Sequence, residues 1–223
     1  MSSNKILLVF PSRREMQSTK YPIPLSVITL VAPLRAAGYD VEMFDQRAAK
    51  DSEILDAEYL NSFLFVGFST LTGSPIQYGL KLAKRIRKLA PDVPLVWGGV
   101  HPSLLPEQTI GTCSLVDVIC RGEGEATIVD LARAFQHHKE LSDVEGITYR
   151  RDGEIIHNPD RAYIDMDEML PLAYDILDPE HYRIKEQFLY QTNRGCPFKC
   201  SFCDVIGFNK KSVREKSVET ILK

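Results

Sequence analysis

Three cysteines, Cys196, Cys200 and Cys203, stand within eight residues of one another near the end of the sequence. Their C-x3-C-x2-C spacing lets three thiolates converge on one metal centre without folding the rest of the chain. Three soft sulfur ligands suit iron and sulfur. A structural zinc would need a fourth Cys or His, and the nearest candidates, His181 and His157, lie well upstream. The spacing favours an iron–sulfur cluster over zinc.

Three protein ligands on a four-iron cluster leave one iron with an open position, where a substrate can bind and receive an electron. A site of this kind is catalytic rather than structural. Phe202 precedes the third cysteine, and it either packs beside the loop or contacts a cofactor. Cys113 and Cys120 are interpreted as small buried apolar residues.

A second set of chemical groups follows the predicted strands of a parallel sheet. Ligands bind beyond the carboxyl ends of such strands, where glycine allows close approach and hydroxyls supply polar contacts. The candidates for a large flat or phosphate-bearing ligand are Pro11 and Ser12 after the first strand, Ser69, Thr70, Leu71 and Thr72 after the third, Gly98, Gly99, Val100 and His101 after the fourth, and Gly122, Glu123, Gly124 and Glu125 after the fifth. No G-x-G-x-x-G follows the first strand, which argues against a dinucleotide.

Three of these candidates carry titratable side chains. We interpret His101 as a rim residue that hydrogen-bonds the ligand or its own loop, rather than as a metal ligand. Glu123 and Glu125 could form an acid/base pair, but their place after Gly122 favours helix capping together with ligand-loop contacts, because the helix macrodipole stabilises carboxylates in the first turn.

Composition limits the function classes. The 223 residues include 27 Lys and Arg against 30 Asp and Glu, and 44% are hydrophobic, which is typical of a globular protein and excludes disordered, collagen-like and coiled-coil classes. A net charge of −3 lacks the excess of basic residues that is typical of proteins that bind nucleic acid. The first apolar run, at residues 5–10, is far shorter than the roughly 20 residues that span a bilayer, and no cleavage site follows. We expect a cytoplasmic protein with no membrane span.

The elements that position these groups alternate along the first part of the chain. Apolar runs predict strands at 5–10, 39–44, 64–68, 94–97 and 116–120, and apolar stripes predict helices at 25–37, 76–86 and 128–135. Strands that alternate with helices at this spacing form a parallel sheet with right-handed crossovers. The predicted fold class is α/β, with a Rossmann-like doubly wound sheet of five parallel strands.

The character of the chain changes after residue 140. Asp152-Gly153 between two apolar runs predicts a small β-hairpin appendage, and residues 158–182 have the prolines and weak periodicity of a linker. A strand is predicted at 187–192, a cysteine-bearing loop at 193–209 and a helix at 213–222. The predicted domains are therefore 1–140, a hairpin and linker at 141–185, and the start of a new domain at 186–223.

The segment from Arg194 to Asp204 resembles the signature of the radical S-adenosylmethionine superfamily, including the aromatic Phe202. The resemblance implies that Cys196, Cys200 and Cys203 hold a 4Fe–4S cluster and that S-adenosylmethionine chelates the fourth iron, with Phe202 near its adenine. Reductive cleavage would release methionine and a 5′-deoxyadenosyl radical, which abstracts hydrogen from a small-molecule substrate. The family also implies an electron donor such as flavodoxin or ferredoxin, and a partial TIM-type barrel whose first β/α unit begins here.

The order of the upstream motifs, GGVHPSLLPE followed by Gly-Glu-Gly-Glu at 122–125, resembles the cobalamin-binding domain found before many radical S-adenosylmethionine enzymes. The resemblance implies that residues 1–140 form a flavodoxin-like sheet of order 2-1-3-4-5 whose rim carries the corrin. The D-x-H-x-x-G loop that supplies a lower histidine in other cobalamin proteins is absent after the first strand. Bound cobalamin would have no histidine ligand from that loop.

Together the two resemblances imply a cobalamin-dependent radical S-adenosylmethionine enzyme that transfers a methyl group to an unactivated carbon through the 5′-deoxyadenosyl radical and methylcobalamin. Two alternatives stay open: a corrinoid- or nucleotide-binding module without a cluster, and a methylthiotransferase-like radical enzyme whose first domain is empty. A full β/α barrel needs about 200 residues or more. We therefore expect the barrel to be truncated and this chain alone to be inactive.

Overall fold

The computed structural model describes residues 3–12, 20–185, 189–210 and 212–222. A seven-stranded sheet in the order β2-β1-β3-β4-β5-β6-β7 forms its centre. The strands are β1 (Lys5–Phe10), β2 (Asp40–Asp45), β3 (Phe63–Ser69), β4 (Leu95–Gly98), β5 (Val118–Cys120), β6 (Ile147–Arg151) and β7 (Glu154–His157). The first five strands are parallel in the order 2-1-3-4-5, which confirms the predicted doubly wound α/β fold.

Helices cover both faces of this sheet. They are α1 (Leu25–Ala36), α2 (Ala57–Asn61), α3 (Ser74–Leu89), α4 (Val100–Leu104), α5 (Pro106–Thr112) and α6 (Gly124–Gln136). On one face, α1 and α6 pack on β1 and β3 through residues such as Val31, Leu34 and Leu131. On the other face, α3 buries Leu82 and Ile86 against β3 and β4. Parallel strands that are buried on both faces have continuous apolar sequences, as β1 has.

The predicted β-hairpin is an extension of the main sheet, not a separate appendage. Its first strand, β6, pairs antiparallel with β5, and β7 pairs antiparallel with β6. Ile147 and Tyr149 are buried against the α1–α6 face. The sheet thus has seven strands instead of the predicted five. Pairing with β6 satisfies the backbone hydrogen-bonding groups on the second edge of β5, which would otherwise be an open edge.

The linker is anchored at the far edge of the sheet. Tyr182 is buried and its hydroxyl donates to Asp45 Oδ2 at 3.0 Å, at the end of β2. Asp45 also accepts hydrogen bonds from Arg47 at 2.7–3.1 Å. Leu177 packs with Tyr182 on Tyr21 and Ile28, so this part of the chain adds a small core of its own.

The cysteine segment forms a short antiparallel ribbon and two short helices. They are β8 (Asn193–Gly195), α7 (Val205–Asn209), β9 (Val213–Glu215) and α8 (Val218–Ile221). The strand predicted at 187–192 is wrong for 189–192, where the described backbone is irregular. The helix predicted at 213–222 begins only at Val218, because the Ser217 side chain caps it by accepting from Thr220 N at 3.2 Å, and β9 takes the preceding residues.

The boundary predicted at Glu186 lies outside the described residues. Within the described part of the chain, no helix is long and apolar enough to cross a membrane.

Candidate cofactor site

A cavity of about 480 Å³ opens at the carboxyl edge of the parallel strands. Its floor is the α1–α6 side of the sheet, with Leu8, Gly67 and Val96, and its walls are α1, α6 and the cysteine segment. Open α/β sheets bind ligands at this edge, where strands end and helices begin. The cavity therefore lies where the sequence predicts a ligand.

Most of the predicted rim residues line this cavity. They are Ser69, Leu71, Gly98, Gly99, Val100, Gly122, Glu123, Gly124 and Glu125. Three strands and their following loops converge here because β3, β4 and β5 are neighbours in the sheet. The structure thus brings the glycine-rich loops after β4 and β5 to the same wall.

The other predicted rim residues, Pro11, Ser12, Thr70, Thr72 and His101, are not among the described residues that line the cavity. Thr70 is fully buried and its hydroxyl donates to Gly98 O at 3.1 Å. Thr72 is exposed, and its hydroxyl lies 3.2 Å from His101 Nδ1. Thr70 and Thr72 therefore brace the rim loops, and their predicted contact with a ligand stays a prediction, like those of Pro11, Ser12 and His101.

Gly99 sets the shape of the rim. Its φ of +93° and ψ of −173° lie in a region that is essentially restricted to glycine. A Cβ at this position would lie 2.6 Å from Thr70 O and 2.9 Å from Thr70 N. Gly99 O accepts from Ser103 Oγ at 2.7 Å, and Ser103 Oγ accepts from Gly122 N at 3.0 Å. Ser103, which sequence reasoning missed, therefore ties the loops after β4 and β5 together.

Sequence reasoning also missed two walls of the cavity. The first turns of α1 contribute Leu25, Ser26, Thr29 and Leu30, and Ser26 Oγ accepts from Ser69 Oγ at 2.8 Å. The cysteine segment contributes Gln191, Asn193, Arg194, Gly195, Val205, Phe208 and Asn209. Leu30 packs against the same core as Val27, Val31 and Leu34, so its apolar character alone did not mark it as a cavity residue. The cysteine segment offers no local signal either, because its packing on the rim is long-range.

The lining fits a large flat ligand. Apolar side chains such as Val100, Ile128 and Phe208 form most of the wall, with a few hydroxyl, amide and charged groups among them, which is the usual make-up of a cofactor site. The glycine loops allow such a ligand to approach the backbone. The residues present fit cobalamin.

The side chains of Glu123 and Glu125 face arginines of the cysteine segment. Glu123 is the N-cap residue of α6, but its side chain makes no capping hydrogen bond, while Glu125 lies in the first turn as predicted. Glu123 Oε1 lies 3.0 Å from Arg194 Nη1 and 2.6 Å from Arg214 Nη2. Burial favours the neutral form of Glu123, but the hydrogen bonds of Arg214 and the charge of Arg194 outweigh it, so the pKa of Glu123 is lowered.

The cysteine loop, residues 196–204, connects β8 to α7. Cys200 is exposed, Cys196 and Cys203 are half-buried, and none of the three is in a disulfide. Phe202 is 90% exposed and does not pack beside the loop. In the described part of the chain, no group of three or more His, Cys, Asp or Glu side chains is arranged to hold a metal ion. The donor set fits an iron–sulfur cluster in its chemistry, while the three side chains do not converge in this conformation.

The cysteines differ enough in environment to be separated by reactivity. Cys120 is buried as predicted, Cys113 is half-buried, and burial raises the pKa of Cys120 to about 12 despite the charges of Arg161 and Arg121. Near pH 8 only about 0.01% of such a thiol is thiolate, the form that reacts. We expect iodoacetamide to alkylate Cys200 in the folded chain and to spare Cys120, as measured by peptide mass spectrometry. In denaturant both should react, and equal rates in the folded chain would contradict the described burial.

The comparisons with known proteins agree with this geometry. The B12 binding domain family matches residues 18–132. The chain is 32% identical over 193 residues to an anaerobic magnesium-protoporphyrin IX monomethyl ester cyclase of Synechocystis sp., which covers 83% of this chain and 38% of the cyclase. It is 31% identical over 233 aligned positions to an uncharacterized methyltransferase of Pyrococcus horikoshii, covering 100% of this chain and 50% of that protein. The chain thus spans half or less of these curated relatives.

A solved structure shows the same fold. The cobalamin-dependent S-adenosylmethionine radical enzyme OxsB, with aqua-cobalamin and S-adenosylmethionine bound, superposes with a TM-score of 0.80 and 27% identity, covering 99% of this chain and 31% of that one. The similarity includes the cysteine segment as well as the sheet, since nearly the whole chain is matched. With its doubly wound sheet, its glycine-lined rim cavity and a family match over residues 18–132, the chain belongs to the B12 binding domain family.

Proposed function

We propose that the rim cavity binds cobalamin and that residues 1–140 are the cobalamin-binding domain. The observation that carries this proposal is the glycine-lined cavity at the carboxyl edge of β3, β4 and β5. Gly99 and Gly122 would let the corrin approach the backbone, and α1 and α6 would form the apolar walls. The loop after β1 would supply no histidine to the cobalt, because its sequence contains none.

We further propose that residues 186–223 begin a radical S-adenosylmethionine domain, with 141–185 as hairpin and linker. Cys196, Cys200 and Cys203 would hold a 4Fe–4S cluster, and Phe202, which is almost fully exposed, would be free to contact S-adenosylmethionine. When bound, cobalamin would carry a methyl group, and a reduced cluster would supply the electron that cleaves S-adenosylmethionine. The chain's own contribution is to place the cysteine loop beside the cavity, since Arg194 and Gly195 line it.

The activity we propose for the whole protein is methyl transfer to an unactivated carbon of a small-molecule substrate. The similarity to a methyltransferase over the full chain supports it, as does the similarity to OxsB. The electron would come from a donor such as flavodoxin or ferredoxin, in the cytoplasm. These assignments concern a protein of the length of the relatives, of which this chain matches half or less.

A second candidate activity is ring formation by the same cofactors. The observation that favours it is the 32% identity to an anaerobic cyclase over most of this chain. The rim cavity and cysteine loop would have the same roles in both reactions. Assays of the full-length protein that follow methyl transfer from labelled S-adenosylmethionine would separate the two activities.

Cobalamin binding by this chain tests the proposal directly. We expect the folded chain to bind hydroxocobalamin with one molecule per chain, as measured by gel filtration and visible absorbance. Leu30→Trp should lower the affinity by about tenfold or more, because the larger side chain fills the cavity that Leu30 lines. Leu89→Trp is the matched control, since Leu89 is 37% exposed on α3, on the opposite face of the sheet. Folded wild-type chain that binds no cobalamin would overturn the proposal.

A further inference from the structure

Two arginines hold the β8–β9 ribbon against the rim of the sheet. Arg194 on β8 and Arg214 on β9 are register partners in the ribbon, so they project from opposite strands at one position. Arg194 pairs with both Glu123 and Glu125, and Arg214 makes two hydrogen bonds to Glu123, at 2.6 and 3.0 Å. We call this four-residue group the rim clamp.

The rim clamp is shielded from solvent. The side chains of Glu123 and Glu125 are 7% and 9% exposed, and those of Arg194 and Arg214 are 12% and 19% exposed. Removing one partner from such a group leaves an uncompensated buried charge, which costs far more than losing an exposed pair. The carboxylates of α6 are therefore a strong determinant of where the ribbon lies.

A third segment is bound into the same group. The linker residue Ile164 donates its N–H to Glu123 Oε2 at 3.0 Å, and its carbonyl accepts from Arg214 Nη1 at 2.9 Å. The Arg214 guanidinium also lies 4.3 Å from the ring centroid of Tyr163. Sheet rim, linker and ribbon thus meet at one carboxylate, and separation of any two would leave its hydrogen bonds unsatisfied.

The rim clamp acts next to both proposed cofactor sites. Glu123, Glu125 and Arg194 line the rim cavity, and Arg194 lies two residues before Cys196. We propose that Glu123 and Glu125 are positioning residues, whose contacts with Arg194 and Arg214 hold the cysteine loop beside the rim cavity. This role rests on the proposed function, in which the cavity and the loop hold two cofactors that must lie close together to react.

Hydrogen exchange on the chain without cofactors tests the inference. In Glu123→Gln, we expect the amides of residues 193–195 and 213–215 to exchange about tenfold or more faster than in the wild type, because the ribbon opens from the rim. Lys210→Gln is the matched control. Lys210 also joins the cysteine segment to the linker, through Asp160 at 2.6 Å, but this pair is exposed and should leave exchange unchanged.

Two further measurements separate positioning from a general loss of stability. Trp97 is the only tryptophan and is buried in the sheet, so its fluorescence reports unfolding of the sheet. The urea midpoint of Trp97 fluorescence should be the same in Glu123→Gln as in the wild type. Arg214→Gln should reproduce the faster exchange, Arg214→Lys should restore part of the protection, and combining Arg214→Gln with Glu123→Gln should add little.

The inference is overturned if ribbon exchange in Glu123→Gln matches the wild type, or if it rises only together with a lowered Trp97 midpoint. The proposed function fails in a different way, when the wild-type chain shows a protected ribbon and binds no cobalamin. The two tests are independent because hydrogen exchange is measured without any cofactor.

Discussion

Cys200→Ala is expected to abolish incorporation of a 4Fe–4S cluster after anaerobic reconstitution of the chain with iron and sulfide. Cys196, Cys200 and Cys203 are the only cysteines of this loop, and an open-site cluster requires all three thiolates. Loss of one cysteine leaves two thiolate ligands, and the loop has no other cysteine that could take its place. Iron and sulfide content and the broad absorbance near 400 nm measure the result. Cobalamin binding should be retained, because Cys200 does not line the described cavity.

Cys113→Ala is the matched control for this experiment. Cys113 is also a free cysteine, although it is half-buried where Cys200 is exposed. It follows α5 on the far side of the sheet from the cavity, against the core that contains Leu82 and Ile86. The Cys113→Ala variant should take up iron and sulfide as the wild type does. If the wild type took up zinc in stoichiometric amount and no iron or sulfide, the three cysteines would be zinc ligands. The proposed cluster, and with it the proposed radical chemistry, would then be wrong.

The parallel part of the fold was predictable because its information is local. The run at Lys5–Phe10 is a strand with the predicted bounds, and the helix predicted at 25–37 ends at Ala36, with Gly38 at a φ of +92°. Each strand of this kind is buried on both faces and each helix on one, so their hydrophobic patterns differ. The strand order followed from the resemblance and is confirmed.

The hairpin and the cysteine segment were harder to predict because their partners are distant. The hairpin itself is marked by Asp152-Gly153, but nothing in its own sequence shows that β6 pairs with β5. Val213 to Leu222 has a pattern compatible with a helix, but its first three residues pair with β8, and Arg214 reaches Glu123, 91 residues away. Local propensity is overridden where long-range contacts decide.

The same distinction holds for the candidate site. Glycine and hydroxyl residues after β3, β4 and β5 were identifiable because parallel strands end at one edge of the sheet. The wall formed by Arg194 and Phe208 was not, since it depends on how the ribbon folds back on α6. Glu123 and Glu125 were correctly placed at the start of a helix, but their arginine partners lie on a segment whose packing no periodicity reveals.

Gly99→Ala is expected to destabilise the chain by about 3 kcal/mol or more and to weaken cobalamin binding by about a hundredfold or more. The backbone of Gly99 has a φ of +93° and a ψ of −173°, and a Cβ would lie 2.6 Å from Thr70 O. Both neighbours are backbone, so neither can rotate away. The loop after β4 would have to move, and with it the Ser103 bridge to Gly122. Urea unfolding and cobalamin titration measure the two effects.

Two other glycines separate the causes of this effect. Gly98→Ala places a Cβ 3.5 Å from Cys120 O, an ordinary contact on the same cavity wall, and should leave both stability and cobalamin affinity close to the wild type. Gly38→Ala has a φ of +92° with nothing within 4 Å of the new Cβ, so it should cost only about 1–2 kcal/mol of backbone strain and no affinity. If Gly99→Ala resembled Gly98→Ala in cobalamin affinity, the corrin could not lie against the loop after β4, and the rim cavity would have to be replaced as the cofactor site.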